Sequence, residues 1–81
     1  MFLDTLKENQ TYFKSTLLEV LQEVKALNDL AIASSYKSIM RREKQRIPVY
    51  LEVVRDPTNG WRMYTGRQIR KIVEYELSAK G

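Results

Sequence analysis

The densest run of cationic side chains in this 81-residue chain lies between residues 37 and 46 and includes a single acid, Glu43. Its five basic members are Lys37, Arg41, Arg42, Lys44 and Arg46. Such side chains hold phosphate groups in position, and arginine also reaches guanine edges in the DNA major groove. Ser35, just before the run, offers a hydroxyl that can bond phosphate. The pattern predicts a surface that binds a polyanion; the alternative is a solvated charged face without a partner.

Duplex DNA is the expected polyanion. The basic run is not interleaved with the aromatic residues that stack single-stranded bases. RNA is a weaker alternative, because a basic helix alone does not distinguish nucleic acids. A membrane surface is also disfavoured, because the basic helix is short and Ile47-Pro48 leads directly into a predicted strand.

The charge of the chain is divided unevenly. The net charge is +4, yet residues 1–33 hold three basic and five acidic groups, whereas residues 34–81 hold eleven basic and five acidic groups. The whole basic surplus therefore lies in the second part. Such asymmetry indicates an acidic partner for that part, with nucleic acid as the first candidate and simple solubility as the alternative.

The composition lacks the residue types that most often carry out catalysis. The chain has no cysteine and no histidine, which removes the usual nucleophile–base pairs and the commonest metal ligands. Its three glycines form no phosphate-binding loop. We predict a protein that is not an enzyme and that uses no metal or cofactor.

The expected compartment is the cytoplasm. Charged residues make up 30% of the chain and no long apolar run is present, which excludes a transmembrane helix. Lys7 and Glu8 interrupt the first apolar residues, so no secretory signal is visible. We expect an intracellular protein that does not bind membranes.

The basic run needs a helix to present it. An apolar phase at Tyr36, Ile39 and Met40 predicts a second helix from about residue 35 to 46, capped by Ser34 or Ser35. Pro48 disfavours helical geometry at the residue before it and should end this helix. The alternative is one helix that runs unbroken from residue 3 to 46.

A first helix is predicted over residues 3–31, which contain neither proline nor glycine. Apolar residues recur there on alternating steps of three and four, a heptad pattern typical of a coiled coil. The predicted oligomerisation seam comprises Leu3, Leu6, Phe13, Leu17, Val20, Val24 and Leu27. Such a helix would span roughly 43 Å, more than a module of about 50 residues can cover. We expect a homodimer or higher oligomer; the alternative is an amphipathic helix folded back on its own domain.

A β-hairpin is predicted after the basic helix. Residues 49–54 are rich in β-branched and aromatic side chains, residues 56–60 contain two turn dipeptides, and a second strand follows from Trp61. Arg55 and Arg62 should face each other and clasp a phosphate backbone. Trp61 and Tyr64 lie on opposite strand faces, so one should close the core.

The hairpin leads into a last helix. Thr65 is its predicted N-cap, and Ile69, Ile72 and Val73 recur at helical spacing. Residues 59–73, from Asn59-Gly60-Trp61-Arg62-Met63-Tyr64-Thr65 into this helix, resemble the wing and following helix of the winged-helix DNA-binding domains of MerR-type regulators and phage excisionases. The resemblance implies that the helix before the wing is the recognition helix of a helix-turn-helix. MerR regulators, however, place their coiled coil after this module, and here the long helix precedes it.

The sequence thus predicts a mostly helical α+β chain, in which residues 1–33 form an oligomerising helix and residues 34–81 form a winged-helix-like module. The predicted function is duplex DNA binding by a small regulator or recombination accessory factor of the phage or mobile-element type. The predicted contacts are Ser35, Lys37, Arg41, Arg42, Lys44, Arg46, Arg55 and Arg62. The alternative is a module for protein–protein interaction or assembly, such as a small phage-encoded inhibitor or adaptor.

Overall fold

The computed structural model of the chain describes residues 5–28, 32–52 and 54–80. These residues form a small α+β structure, which confirms the predicted class. In chain order the elements are β1 (Thr11–Phe13), α1 (Lys14–Asn28), α2 (Tyr36–Lys44), α3 (Pro48–Leu51), β2 (Val54–Arg55), β3 (Arg62–Thr65) and α4 (Gly66–Lys80).

The sheet combines one strand from the N-terminal part of the chain with two strands from the C-terminal part. Its strand order is β1-β3-β2, and both pairings are antiparallel. β3 is central: Thr65 lies opposite Thr11 on one side, and Arg62 lies opposite Arg55 on the other. The β2–β3 pairing confirms the predicted hairpin and the predicted juxtaposition of Arg55 and Arg62.

The prediction of one helix over residues 3–31 is wrong in its first part. Residues 11–13 form β1, and helix α1 begins at Lys14 and ends at Asn28. Thr11, Tyr12 and Phe13 are β-branched or aromatic residues that suit a strand, and they find a partner in β3. Leu3 and the predicted end of the helix at residues 29–31 lie outside the described residues.

Most side chains of the predicted heptad seam are buried in the core of the single chain. Leu6, Leu17, Val20 and Val24 are buried in the core. Phe13 and Leu27 are exposed by 44% and 64%. The size argument for self-association required a continuous helix of twice this length, and α1 has 15 residues. Self-association itself stays a prediction.

One hydrophobic core unites the N-terminal and C-terminal parts. Helix α4 lies along it with Ile69, Ile72 and Val73 buried, as the helical spacing predicted. Tyr64 is fully buried while Trp61 is 61% exposed, which settles the division of roles predicted for this pair. The buried apolar members are Leu6, Leu17, Val20, Leu21, Val24, Ile32, Ile39, Tyr50, Tyr64, Ile69, Ile72 and Val73.

Helix α2 forms where it was predicted, but it ends earlier. The side chain of Ser35 accepts a hydrogen bond from the Ser38 amide, which confirms the predicted N-cap. The helix ends at Lys44, and Arg46 adopts a positive φ of 58°. A left-handed residue cannot continue an α-helix, so the chain turns here, before Pro48.

The predicted strand over residues 49–54 is wrong for most of its length. Pro48–Leu51 form the short helix α3 with proline at its start, and strand β2 comprises Val54–Arg55 among the described residues. Proline suits the first turn of a helix because it has no amide proton to satisfy. The turn brings Tyr50 fully inside, where its hydroxyl reaches a carboxylate of α4.

The hairpin turn and the start of α4 follow their local sequence signals. Gly60 has a φ of 72°, and the carboxylate of Asp56 accepts a bond from the Thr58 amide. The hydroxyl of Thr65 accepts a bond from the Gln68 amide, which confirms this N-cap. Gly66 then packs directly on the backbone of Lys7.

Within the described ranges, no helix combines the length and the apolar character needed to cross a membrane.

Candidate nucleic-acid interface

Helix α2 presents a stripe of four side chains at steps of three and four residues, which places them on one helix face. The members of this stripe, called the α2 stripe below, are Lys37, Met40, Arg41 and Lys44, and they line one open cavity of about 360 Å³. All four are exposed. Among the described residues, none of its three cations forms an ion pair. The stripe therefore carries uncompensated positive charge.

The apolar phase predicted for α2 implies that Tyr36, Ile39 and Met40 lie opposite the exposed basic face, and for Tyr36 and Met40 this is wrong. They are exposed by 46% and 48%, and Ile39 alone among the helix's residues is buried. The helix has only nine residues and is held to the body by Ile39 and by three ion pairs. Its apolar phase is consequently narrower than the sequence suggested.

Arg42, a predicted nucleic-acid contact, has a structural partner instead. Its Nε donates to Oε2 of Glu76 at 3.2 Å, and the Glu76 side chain is fully buried. The same carboxylate accepts the Tyr50 hydroxyl at 3.0 Å and the Ala33 amide at 3.0 Å. Burial, together with the nearby negative charge of Glu76, raises the pKa of Tyr50 well above its usual value. Arg42 therefore serves to neutralise an internal charge.

Glu43 forms a second charged centre, between α2 and the sheet. Arg62 donates to its Oε2, the Tyr64 hydroxyl donates to its Oε1 at 2.7 Å, and Lys14 lies 3.4 Å from Oε1. Burial raises the pKa of Tyr64, and the hydrogen bond to Glu43 raises it further. Arg62, predicted to hold phosphate, is thus engaged in holding α2 against β3.

Of the other predicted contacts, the two hairpin and loop arginines are exposed, whereas the serine has a structural role as a helix cap. Arg55 and Arg46 are exposed, and Arg55 donates to the carbonyl oxygen of Gly60 at 3.1 Å, which orders it along the hairpin turn. The Ser35 hydroxyl is used as the cap of α2 and bonds Ser38 Oγ at 3.0 Å. Of the eight predicted contacts, five cations remain accessible without a described carboxylate partner: Lys37, Arg41, Lys44, Arg46 and Arg55.

A cavity of about 300 Å³ lies beside the segment that joins α1 to α2. Lys25 of α1 and Arg41 of α2 line it together with the polar Ser34 and Ser38. The sequence gave no reason to single out Lys25, which lies in the acidic part of the chain. The pairing of Lys25 with Arg41 depends on how α1 and α2 pack, which local sequence does not report.

In residues 5–28, 32–52 and 54–80, no group of three acidic side chains lies close enough together to hold a metal ion.

Comparisons with protein-family models, with curated proteins and with solved structures found no match. The resemblance of residues 59–73 to winged-helix proteins therefore stays a prediction carried by those residues alone.

Proposed function

We propose that this chain binds duplex DNA as a small regulator or recombination accessory factor, with α2 as the reading helix and the β2–β3 hairpin as a wing. The observation that carries the proposal is the α2 stripe, whose three cations have no carboxylate partner among the described residues. Unneutralised cations on one helix face supply the electrostatic part of DNA affinity.

The order of the elements supports a winged-helix arrangement. One strand precedes the helices α1 and α2, the short helix α3 leads into a hairpin, and the second hairpin strand lies between the other two strands. In this arrangement α1 and α2 would act as the helix-turn-helix, and α2 would be its second, recognition helix. The Glu43 centre would hold α2 and the wing in a fixed relation.

The dimensions and side chains of α2 suit the major groove. An α-helix with its side chains is about 10–12 Å across, which fits the groove's width of about 12 Å, and nine residues extend about 13 Å along it. Lys37 and Lys44, one near each end, would bond phosphates. Arg41 would reach a guanine edge, and Met40 would lie against a thymine methyl group. Arg55 on the hairpin would hold the adjoining backbone.

The test compares two double variants that each remove two positive charges from an exposed helix face. Arg41→Ala/Lys44→Ala changes the α2 stripe, and Arg67→Ala/Lys71→Ala changes α4 as the matched control. We expect the first to weaken binding to a random-sequence duplex, measured by fluorescence anisotropy at low salt, by at least about ten-fold. The control should change it by less than about three-fold. Equal effects of the two would contradict the assignment of α2.

Arg42 is left unchanged in this test for a structural reason. Its loss would leave the Glu76 carboxylate buried without its cation, which destabilises a fold strongly. A loss of DNA binding in an Arg42 variant would therefore not distinguish a lost contact from a lost fold.

Protein–protein assembly, including self-association, is the second candidate. The observation that favours it is Leu27, which is 64% exposed near the end of α1. An assembly module should ignore a random duplex at low salt, so the same anisotropy measurement separates the two candidates. Light scattering at micromolar concentration tests self-association, and a mass of 9.6 kDa would contradict it.

A further inference from the structure

Three aromatic side chains from distant parts of the sequence meet on one surface. Phe13 of β1, Tyr36 of α2 and Trp61 beside β3 line a groove of about 580 Å³. They are exposed by 44%, 46% and 61%, respectively. Exposed aromatic rings of this size seldom gather by chance on a small protein, and a concave apolar patch of this kind marks a binding site.

The groove holds its largest ring in an ordered position. The rings of Phe13 and Trp61 meet edge to face, with centroids 5.9 Å apart and planes at 72°. Such a contact stabilises the arrangement beyond simple burial. Trp61 nevertheless keeps most of its surface free. The groove thus offers a pre-positioned indole, which loses little conformational entropy when a flat ligand stacks on it.

The rim of the groove is cationic. Lys14, Arg55 and Arg62 line it, and the described lining contains no acidic residue. Glu43 contacts Lys14 and Arg62, so it offsets one of the three positive charges. A ligand with a flat apolar part and at least one negative charge fits this combination. A second copy of the chain fits poorly, because its own groove would present the same positive charge.

We propose that this groove binds an unpaired nucleotide of single-stranded DNA, with the base stacked on Trp61 or Tyr36 and the flanking phosphates held by Arg55 and Lys14. Aromatic platforms bordered by cations are the recurring means of holding unpaired bases. The choice of DNA over RNA rests on the proposed function, since Arg55 also belongs to the proposed wing. The groove would capture a base at an end, nick or melted stretch beside the duplex that α2 contacts.

Trp61 makes the test direct, because it is the single tryptophan of the chain. Titration with an eight-nucleotide oligothymidine should quench its fluorescence through stacking of a base on the indole. An abasic oligomer with the same number of phosphates provides the control for charge alone. We expect binding of the abasic oligomer to be weaker by at least about ten-fold, as the loss of a stacked base implies. Equal binding of the two oligomers would overturn the proposal.

Variants then locate the site with a labelled oligothymidine and anisotropy as the readout. Trp61→Ala should weaken binding by about ten-fold or more, and Trp61→Phe, which keeps a ring, should restore most of it. Leu51→Ala removes an exposed apolar side chain outside the groove and should leave binding unchanged. If Trp61→Ala binds like the parent while its circular dichroism is native, the groove is not the site.

The proposed duplex site fails or succeeds separately. Arg41→Ala/Lys44→Ala should weaken duplex binding and leave oligothymidine binding unchanged. Trp61→Ala should weaken oligothymidine binding and leave duplex binding unchanged. Stronger binding of an oligouridine of equal length would overturn the assignment to DNA. A change of solution mass in Trp61→Ala without a change in oligothymidine binding would show instead that the groove is an interface between copies.

Discussion

At the scale of single residues, Glu76 does more for this structure than its sequence context suggests. Its carboxylate is fully buried and gathers a cation from α2, a hydroxyl from α3 and the amide of Ala33. It thereby joins α2, α3 and the segment before α2 to helix α4. A buried charge held by three partners contributes chiefly by fixing which segments meet, because its desolvation offsets much of its attraction.

Replacing Glu76 with alanine should destabilise the protein strongly. The change leaves the Arg42 guanidinium without its buried partner and the Tyr50 hydroxyl and Ala33 amide without their acceptor. We expect a loss of about 3 kcal/mol or more in the free energy of unfolding, measured with urea. Glu74→Ala, on the exposed side of the same helix, is the control and should stay within about 0.5 kcal/mol. Similar losses in both variants would show that the hydrogen bonds and the ion pair of the Glu76 carboxylate are not the source of the lost stability.

Alkaline pH should weaken the fold through Tyr50 and Tyr64. Burial and the adjacent carboxylates raise the pKa of both phenols above their ordinary value of about 10. The unfolded chain therefore loses these protons first, so their contribution is complete below about pH 10 and is lost as the pH rises further. The free energy of unfolding should fall between about pH 10 and 12.

Two variants check this pH dependence. Tyr50→Phe should fall less steeply with pH than the parent, although it is less stable at neutral pH by about 1 kcal/mol because a hydrogen bond is lost. Tyr36→Phe, which changes an exposed ring, serves as the control. A parent-like alkaline slope in Tyr50→Phe would exclude this phenol as its source.

Local signals in the sequence identified the residues whose roles are local. The caps at Ser35 and Thr65 and the turn at Gly60 each depend on neighbours within four positions, and all were predicted. The role of Glu76 was not predicted, because its partners lie 26 to 43 positions away. Burial of a charge is a property of packing, so no window of sequence around residue 76 reveals it.

At the scale of elements, strand β1 marks the main departure from expectation. The heptad spacing of residues 3–31 is genuine, but three positions within it gain more by pairing with β3 than by staying helical. A strand of three residues is too short to show an alternating pattern, and its partner strand lies about fifty residues further along the chain. The hairpin, whose strands are joined by a short turn, was predictable for the opposite reason.

Gly66 is where the N-terminal segment docks onto the start of α4. A Cβ atom there would lie 2.8 Å from the carbonyl carbon of Lys7, in a backbone that cannot yield like a side chain. The Gly66 amide also donates to the Gln10 carbonyl at 3.0 Å. Alanine normally favours a helix by about 1 kcal/mol over glycine, but here the clash should outweigh that gain.

We accordingly expect Gly66→Ala to lower the free energy of unfolding by about 1–3 kcal/mol, as overpacking does elsewhere. Gly60→Ala is the comparison. It meets no atom within 4 Å and is strained only by its positive φ, so it should cost about 1 kcal/mol. Stabilisation by Gly66→Ala in urea denaturation would mean that the N-terminal segment does not pack on α4.

At the scale of the whole molecule, positive charge is exposed on one helix and one hairpin while the remaining cations are engaged in ion pairs or dispersed. The composition predicted a basic C-terminal part but not this division, which depends on Glu43 and Glu76 capturing Arg62 and Arg42. DNA affinity should consequently depend on fewer cations than the sequence offers.

Salt dependence measures that number. If Lys37, Lys44 and Arg55 each neutralise one phosphate, the logarithm of the duplex binding constant should fall against the logarithm of salt concentration with a slope of about −2.7. Arg41→Ala/Lys44→Ala should reduce the slope to about −1.8. A parent slope near zero would exclude phosphate contacts as the source of affinity.

The pairing of Thr11 with Thr65 has a consequence for synthesis of the chain. The sheet cannot close until Thr65 has left the ribosome, since its central strand β3 is synthesised after both β1 and β2. Until then the backbone groups of residues 11–13 that pair with β3 lack their native partners. The nascent N-terminal segment therefore stays unpaired until β3 is synthesised, and its lysines and acids oppose its aggregation during that time.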